Sequence, residues 1–326
     1  MEQLKANMLA RRAQAFRPGT TTNHKSQAEL FIAFCTYINR EPFNPDTETI
    51  CLYIEYLAQN FSSPQSIANY VSGIRFLHKI TGINCLAIDS FEVGLMLRAC
   101  NLTIQNRPNR KLPISLDILQ KLVQITHGLG APGSIFKCAI LMSFYGFLRQ
   151  SNIAPRSTIA FDPRRNTCRQ DIFITPPGMV VLLKWTKTSQ DSNTYHLIPL
   201  PEIPSSNLCP VRAYKQMIKL LPTTSPDQPL LVLPTPDTLQ RYMPVTIRWL
   251  ADMLDICLQE LNLDSNLYSL HSLRRGGATA SFRLGVNYMH IKRHGAWRSD
   301  SFWNYITSEA VCDSPVAKAF ANSLKK

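Results

Sequence analysis

The chain has 326 residues, of which 45% are hydrophobic, a length and composition that exclude disorder of the whole chain and suit two ordinary domains. Lysine and arginine outnumber aspartate and glutamate by 35 to 22, and the resulting net charge of +13 favours a polyanionic partner such as nucleic acid. Nine cysteines without a C-x-x-C pair indicate reduced thiols of an intracellular protein. No stretch approaches the ~18 apolar residues of a membrane span, so we expect no membrane partner.

The first third of the chain predicts an arm followed by a helical bundle. Residues 1–19 carry Arg11, Arg12 and Arg17, and we expect a basic, solvated and frayed arm there. From 20 to 105 apolar residues recur at helical spacing, and the pattern predicts a compact helical domain. Its first helix holds Leu30, Phe34 and Ile38, and further helices are expected at about 46–60, 64–80 and 88–101.

Residues 106–113 contain two prolines and three cations without apolar periodicity, which predicts a basic linker. The remaining 114–326 form a second predicted domain that ends in a C-terminal helix. Its helices are expected at about 115–127, 132–146 and 244–261, and short antiparallel strands at 172–175, 179–185 and 195–200. The predicted fold class is therefore mainly α with a small antiparallel β-sheet (α+β).

Tyr305 is the first residue that suggests chemistry. Its phenol could attack phosphorus once neighbouring cations help it ionise. Breaking and rejoining a phosphodiester without a metal also needs charge on the phosphate oxygens and a proton donor for the leaving oxygen. We expect Tyr305 on a helix at about 299–308, where Phe302, Trp303 and Ile306 make a core aromatic the alternative interpretation.

His271 and Arg274 stand three residues apart, so they share one face of a helix that we expect to begin near Ser269, a plausible N-cap. Both side chains could reach one phosphate at the positive end of that helix. Gly276 and Gly277 would cost the helix about 1 kcal/mol each relative to alanine, which predicts a close backbone approach there. A surface pair is the alternative for an isolated H-x-x-R.

Three more residues are candidates, and two of them have a rival. Arg149 closes the apolar run 140–148, which predicts a rigid guanidinium at a helix end, although a snorkelling arginine is an equal alternative. Lys187 precedes a polar turn at a hairpin tip and could protonate the departing oxygen, with Lys184 as its competitor. The indole N–H of Trp297 could donate to a phosphate oxygen, with His294 as the rival donor.

In chain order, these residues resemble the Arg, Lys, His-x-x-Arg, His or Trp, Tyr series of the tyrosine recombinase (phage integrase) family; they are Arg149, Lys187, His271, Arg274, Trp297 and Tyr305. The resemblance covers roughly 20–308 and implies a helical core-binding domain before a catalytic domain. It implies that the arginines, the histidine and the tryptophan hold a DNA phosphate and that Lys187 is the general acid. Tyr305 would attack to form a 3′-phosphotyrosine, with no cofactor and no metal.

The resemblance further implies double-stranded DNA as the partner, a tetramer of the chain on DNA, and a tail from about 315 to 326 that docks on a neighbour or packs on its own domain. Location would be nuclear in a eukaryote and cytoplasmic or nucleoid in a prokaryote. Asn152, where many members have an acidic residue, and Arg275-Gly276-Gly277 depart from the common pattern and suggest a divergent branch such as those of eukaryotic mobile elements. A domesticated DNA-binding protein and a type IB topoisomerase are the alternative functions.

Overall fold

The computed structural model describes residues 1–15, 18–105, 110–186, 195–222, 225–235 and 242–306. The chain divides into two compact units, 1–109 and 110–326, and the division falls inside the basic segment that the sequence singled out as a linker. The cysteines that the structure describes are free thiols. Across the described ranges, none of the helices is both long and apolar enough to cross a membrane.

The first unit consists of helices, which are α1 (Glu2–Gln14), α2 (Pro18–Tyr37), α3 (Thr47–Asn60), α4 (Pro64–Thr81), a 3₁₀ helix (Leu86–Asp89) and α5 (Phe91–Thr103). Helices α2 to α5 confirm the predicted bundle. The side chains of Asp46, Ser63 and Ser90 accept hydrogen bonds from the first turns of α3, α4 and α5, which explains why these helices start where they do. Their apolar faces bury Phe31, Tyr53 and other side chains in one core.

The expectation of a frayed arm at residues 1–19 was wrong for the part described by the structure. Helix α1 is regular, and its described side chains are exposed. Leu, Ala, Lys, Gln and Arg dominate this segment, and these residues have high helix propensity, so a helix forms without burying a face.

The second unit is built around a buried helix. Its helices are α6 (Leu116–Thr126), α7 (Gly130–Tyr145), α8 (Gln150–Ile153), α9 (Pro210–Leu220), α10 (Ile247–Glu260), α11 (Leu270–Arg283) and α12 (Tyr288–His294), with 3₁₀ helices at Thr158–Ala160, Arg169–Asp171, Ser265–Leu267 and Asp300–Tyr305. Every residue of α7 from Ile135 to Phe144 is buried, so this helix is the centre of the core.

A three-stranded antiparallel sheet covers part of this core and confirms the three predicted strands. Its strands are β1 (Ile172–Thr175), β2 (Gly178–Leu183) and β3 (His196–Pro201), with β2 in the middle. Alternate residues Met179, Val181 and Leu183 of β2 are buried, as expected for a sheet with one face on the core. A second, unpredicted pair of strands is β4 (Val232–Pro234) and β5 (Tyr242–Pro244).

The helix expected at about 132–146 is confirmed, since α7 ends at Tyr145, but Arg149 does not stand at its end, because Phe147 adopts a positive φ of 47° and the chain turns back. The α-helix expected at about 299–308 was wrong. The segment that carries Tyr305 is a 3₁₀ helix of six residues, after which Ile306 is extended. Residues 307–326, with the predicted C-terminal helix, lie outside the part that the structure describes.

Candidate active site

Helix α11 organises the site. It begins after Ser269, the predicted N-cap, whose backbone N–H donates to the Oγ of Ser272 at 3.0 Å. The predicted close approach is confirmed at both glycines: a Cβ at Gly276 would overlap the carbonyl oxygen of Ile114, and one at Gly277 would overlap that of Phe144. Helix α11 therefore lies directly against the backbone of α7, and its first turns face the loop that follows α7.

The phenol of Tyr305 lies against His271. The distance from His271 Nε2 to Tyr305 Oη is 2.9 Å, a hydrogen bond between residues that are 34 positions apart. The carbonyl oxygen of Tyr305 accepts a hydrogen bond from Thr279 Oγ1 at 2.9 Å, and that of Asn304 accepts one from Arg275 Nη2 at 3.0 Å. Three side chains of α11 thus hold the phenol oxygen of Tyr305, its backbone carbonyl and the carbonyl of the preceding residue.

Arg274 is buried beside this tyrosine, with 1% of its surface exposed. Its guanidinium donates to the carbonyl oxygens of Phe147 and of Gly295, the latter at 2.7 Å. It also lies 3.8 Å from the centroid of the Trp297 ring and 5.3 Å from that of Tyr305. Burial lowers the pKa of Arg274, and the charge of Arg149 lowers it further, although a guanidinium keeps its proton at neutral pH.

Arg149 lies close enough to Arg274 and Tyr305 to interact with both electrostatically. It is the N-cap of α8, where its backbone N–H donates to the Oδ1 of Asn152 at 3.1 Å. Burial lowers the pKa of its guanidinium, while the opposite charge of an ionised Tyr305 would raise it. None of the carboxylates in the described ranges contributes to the pKa of Arg149 or of Arg274, so the two cations share a site without an anion to balance them.

Trp297, rather than its rival His294, contacts the tyrosine. The ring centroids of Trp297 and Tyr305 are 5.0 Å apart. The indole Nε1 is buried, and no atom of the described residues accepts a hydrogen bond from it. His294 instead uses its Nε2 to bond the carbonyl oxygen of Tyr145 at 2.8 Å, and burial lowers the pKa of this imidazole, which keeps it neutral at pH 7.

Of the two candidate general acids, the structure describes one. Lys184 Nζ lies 2.7 Å from the carboxylate of Asp171, which is 4% exposed, so this ammonium is engaged in a largely buried ion pair. Lys187 lies outside the described residues. The backbone just before it is tied to the site, because Asn152 Nδ2 donates to the carbonyl oxygen of Trp185 at 3.1 Å.

Five of the six predicted site residues therefore converge in one place, and they are Arg149, His271, Arg274, Trp297 and Tyr305. Sequence reasoning missed the anchors Arg275 and Thr279; their positions four residues apart, on a helix that already carried two candidates, were the available signal. Within the described ranges, His, Cys, Asp and Glu form no group of three that could hold a metal ion.

Comparison with known proteins gives one sequence relative and several structural ones. The integrase/recombinase XerD homolog of Selenomonas ruminantium is 24% identical over 275 residues, which cover 83% of this chain and 75% of that protein. No family model matches the chain.

Three solved structures share the fold at low identity. The integrase of transposon Tn1549, in complex with transposon right-end DNA, superposes with a TM-score of 0.58 at 12% identity over 99% of both chains. A λ integrase dimer bound to a core site gives 0.57 at 12% identity, over 94% of this chain and 76% of that one. The XerH site-specific recombinase bound to difH gives 0.56 at 14% identity, over 87% and 73%. The resemblance seen in the motifs is thus confirmed by a sequence relative and by the architecture: this chain has the tyrosine recombinase fold.

Proposed function

We propose that this protein cleaves and rejoins DNA strands through a covalent phosphotyrosine intermediate at Tyr305, in site-specific recombination or integration. The observation that carries the proposal is the convergence of two unbalanced cations, a histidine and a buried indole N–H on one phenol. Such an arrangement suits a scissile phosphate, whose negative charge would offset the cost of burying Arg274 and whose oxygens would accept the unused donors.

The geometry of the site supports the following roles in the first step. His271 Nε2 lies at hydrogen-bond distance from Tyr305 Oη, and with the proton on Nδ1 it can accept the phenol proton as attack begins. The tyrosine oxygen forms a bond to phosphorus, and the bond from phosphorus to the 5′ oxygen breaks. Arg149, Arg274 and the indole of Trp297 stabilise the charge that develops on the non-bridging oxygens.

The electron pair of the broken bond goes to the 5′ oxygen, which needs a proton to leave as a hydroxyl. We assign this proton to Lys187 by its place in the motif series. Its competitor Lys184 is less suitable, because giving up a proton would leave the buried carboxylate of Asp171 without its cation. Attack on the phosphotyrosine by the 5′ hydroxyl of a partner strand reverses the step and completes exchange.

DNA is the partner that the charge, the fold and the relatives support, because the Tn1549, λ and XerH proteins were all solved on DNA. Two duplexes must be held side by side for exchange, so the proposal includes self-association of the protein on DNA as a tetramer. The transposon integrase among the structural relatives is consistent with a mobile element as the source of this chain.

A suicide substrate tests the chemistry. The protein is incubated with duplexes drawn from the DNA that flanks its gene, each nicked close to the expected cleavage position so that the released fragment diffuses away and the adduct accumulates. A denaturing gel should show a covalent protein–DNA adduct, and Tyr305→Phe should remove the adduct while keeping DNA binding. Tyr288→Phe is the matched control, since this exposed tyrosine stacks on Trp303 and not on the site.

The outcomes separate the candidate functions. An adduct that survives in Tyr305→Phe would place the nucleophile elsewhere and refute the assignment. Tight binding without an adduct on the correct DNA would favour a domesticated DNA-binding protein. Relaxation of supercoiled DNA without intermolecular products would favour a type IB topoisomerase.

A further inference from the structure

One guanidinium joins two segments that are almost 200 residues apart in the chain. Arg275 Nη1 donates to the carbonyl oxygen of Lys111 at 2.6 Å, and its Nη2 donates to that of Asn304 at 3.0 Å. Lys111 lies at the end of the predicted linker segment 106–113 that leads into the second unit, and Asn304 directly precedes Tyr305. We propose that Arg275 is a positioning residue that ties the turn of the nucleophile to the segment leaving the linker, so that the rate of cleavage depends on where that segment lies.

The segment leaving the linker is itself laid along the start of α11. The backbone N–H of Leu112 donates to the carbonyl oxygen of Leu267 at 2.7 Å, and that of Ile114 donates to Ser272 at 3.0 Å. Ile114 also packs against Gly276, where a Cβ would not fit. Residues 110–114 are therefore hydrogen-bonded along the start of α11, and we call them the rail segment. Arg275 connects this segment, through Lys111, to the turn that carries the nucleophile.

The chemistry of arginine suits this task better than that of lysine. A guanidinium presents several N–H donors in a rigid planar fork, so it can hold two carbonyl oxygens on different segments at once, whereas an ammonium on a flexible stem is a single point. Burial and the charge of Arg110 lower the pKa of Arg275, and the opposite charge of an ionised Tyr305 would raise it. Arg275 is a further half-buried cation near the tyrosine, and both of its hydrogen bonds to the described residues go to backbone carbonyls.

Thr279 provides an internal comparison. Its hydroxyl donates to the carbonyl oxygen of Tyr305 itself, so it also holds the turn, but within the described ranges it makes no hydrogen bond to residues 110–114. Removing the hydroxyl should loosen the turn alone. Removing the guanidinium of Arg275 should loosen both the turn and the rail segment. The comparison of the two substitutions therefore tells whether Arg275 connects two segments or only stabilises the turn.

The inference rests on the proposed function, and its test has two independent arms. The full-length wild-type protein is compared with Arg275→Met, Arg275→Lys and Thr279→Val. The first arm measures DNA affinity and the single-turnover rate of adduct formation on saturating nicked duplex. The second arm measures hydrogen–deuterium exchange without DNA in peptides covering 110–114, 303–306 and, as a check on folding, the core helix at 136–142.

We expect Arg275→Met to slow adduct formation about 10- to 100-fold at saturating DNA, the cost of a misplaced nucleophile, with DNA affinity within about threefold of wild type. Exchange should rise in both 110–114 and 303–306 and stay unchanged in 136–142. Arg275→Lys should reach neither the wild-type rate of adduct formation nor the wild-type level of exchange protection. Thr279→Val should slow the reaction and raise exchange in 303–306 alone.

Two results would overturn the inference. One is an adduct rate for Arg275→Met within about twofold of wild type; the other is a loss confined to DNA affinity, which would make Arg275 a phosphate contact. If the wild-type protein forms no adduct, the proposed function fails by itself, and the exchange arm still decides whether Arg275 ties the two segments.

Discussion

Substituting Gly277 by alanine should move the site residues of α11, His271 and Arg274, away from Arg149 in the loop after α7. Alanine is favoured over glycine inside a helix by about 1 kcal/mol, so propensity alone predicts a more stable α11. The structure predicts the opposite, because the new Cβ would overlap the carbonyl oxygen of Phe144 and would lie 2.8 Å from the ring of Phe147. Real Cβ contacts stay beyond 3.0 Å, so α11 must move about 1 Å away from α7.

The expected loss of stability follows from these opposing effects. Overpacking of a close-packed core costs about 1–3 kcal/mol, and a backbone oxygen of a buried helix cannot yield as the end of a flexible side chain can, so the upper part of this range applies. After the gain in helix propensity, the free energy of unfolding should fall by about 1–2 kcal/mol. Chemical denaturation followed by circular dichroism measures this change.

The effect on cleavage should be larger than the effect on folding. His271 and Arg274 move with α11, whereas Arg149 stays with the loop after α7, and a displacement of 1 Å between catalytic groups can cost about 100-fold in rate. Adduct formation on the nicked duplex should therefore slow by about that factor at saturating DNA.

Gly94→Ala is the matched control, because Gly94 also lies inside a helix, α5, but no atom lies within 4 Å of its added Cβ. It should gain up to about 1 kcal/mol and leave cleavage unchanged. If Gly277→Ala behaved like Gly94→Ala in both measurements, the close approach of α11 to α7 would not hold the site together, and the reasoning would be refuted.

Arg274→Ala should slow adduct formation at least ~100-fold, the usual cost of losing one donor that stabilises developing charge, and an unchanged rate would exclude it from the site. Lys187→Met should abolish cleavage of an ordinary duplex but should allow cleavage of a duplex with sulfur at the 5′ bridging position, because the thiolate leaving group needs no proton. Lys184→Met should instead lower the free energy of unfolding by about 3 kcal/mol, because Asp171 stays buried without its cation. Because burial lowers the pKa of His294 below its unfolded value near 6.5, the unfolded state binds more protons in that window, and stability should fall as pH drops from about 6.5 by at most ~1.4 kcal/mol per pH unit. His294→Gln should show a smaller fall in denaturation midpoint between pH 7 and pH 5, and an equal fall would contradict this origin.

Local periodicity was sufficient to predict most of the fold. Helices α2 to α5 and the three strands of the larger sheet have regular apolar spacing, which identifies them. The same reasoning placed His271 and Arg274 on one helix face behind Ser269, because a helix fixes neighbours within a turn. Strands β4 and β5 were missed because three residues are too few to show a period, and each ends at a proline.

The errors arose where tertiary contacts override local pattern. The mostly apolar run from Ile140 to Leu148 favoured Arg149 at the end of a helix, yet the chain turns at Gly146 and Phe147, and the Phe147 carbonyl accepts a hydrogen bond from Arg274, 127 residues later. The residues around Phe147 carry no sequence signal for a hydrogen bond to Arg274. The short 3₁₀ helix that ends at Tyr305 is likewise anchored at its end by Arg275 and Thr279, which belong to α11.

Asn152 shows why a departure from the common pattern is compatible with an intact site. Its Oδ1 accepts from the backbone N–H of Arg149, as a carboxylate would, but its Nδ2 also donates to the carbonyl oxygen of Trp185, two residues before Lys187. A carboxylate could do the first and not the second, because it has no proton to donate and would place negative charge against that carbonyl. In this chain the amide therefore connects the turn that carries Arg149 to the strand end that leads to Lys187. Because an amide, unlike a carboxylate, can both accept and donate these two hydrogen bonds, asparagine in place of the acidic residue does not argue against the proposed activity.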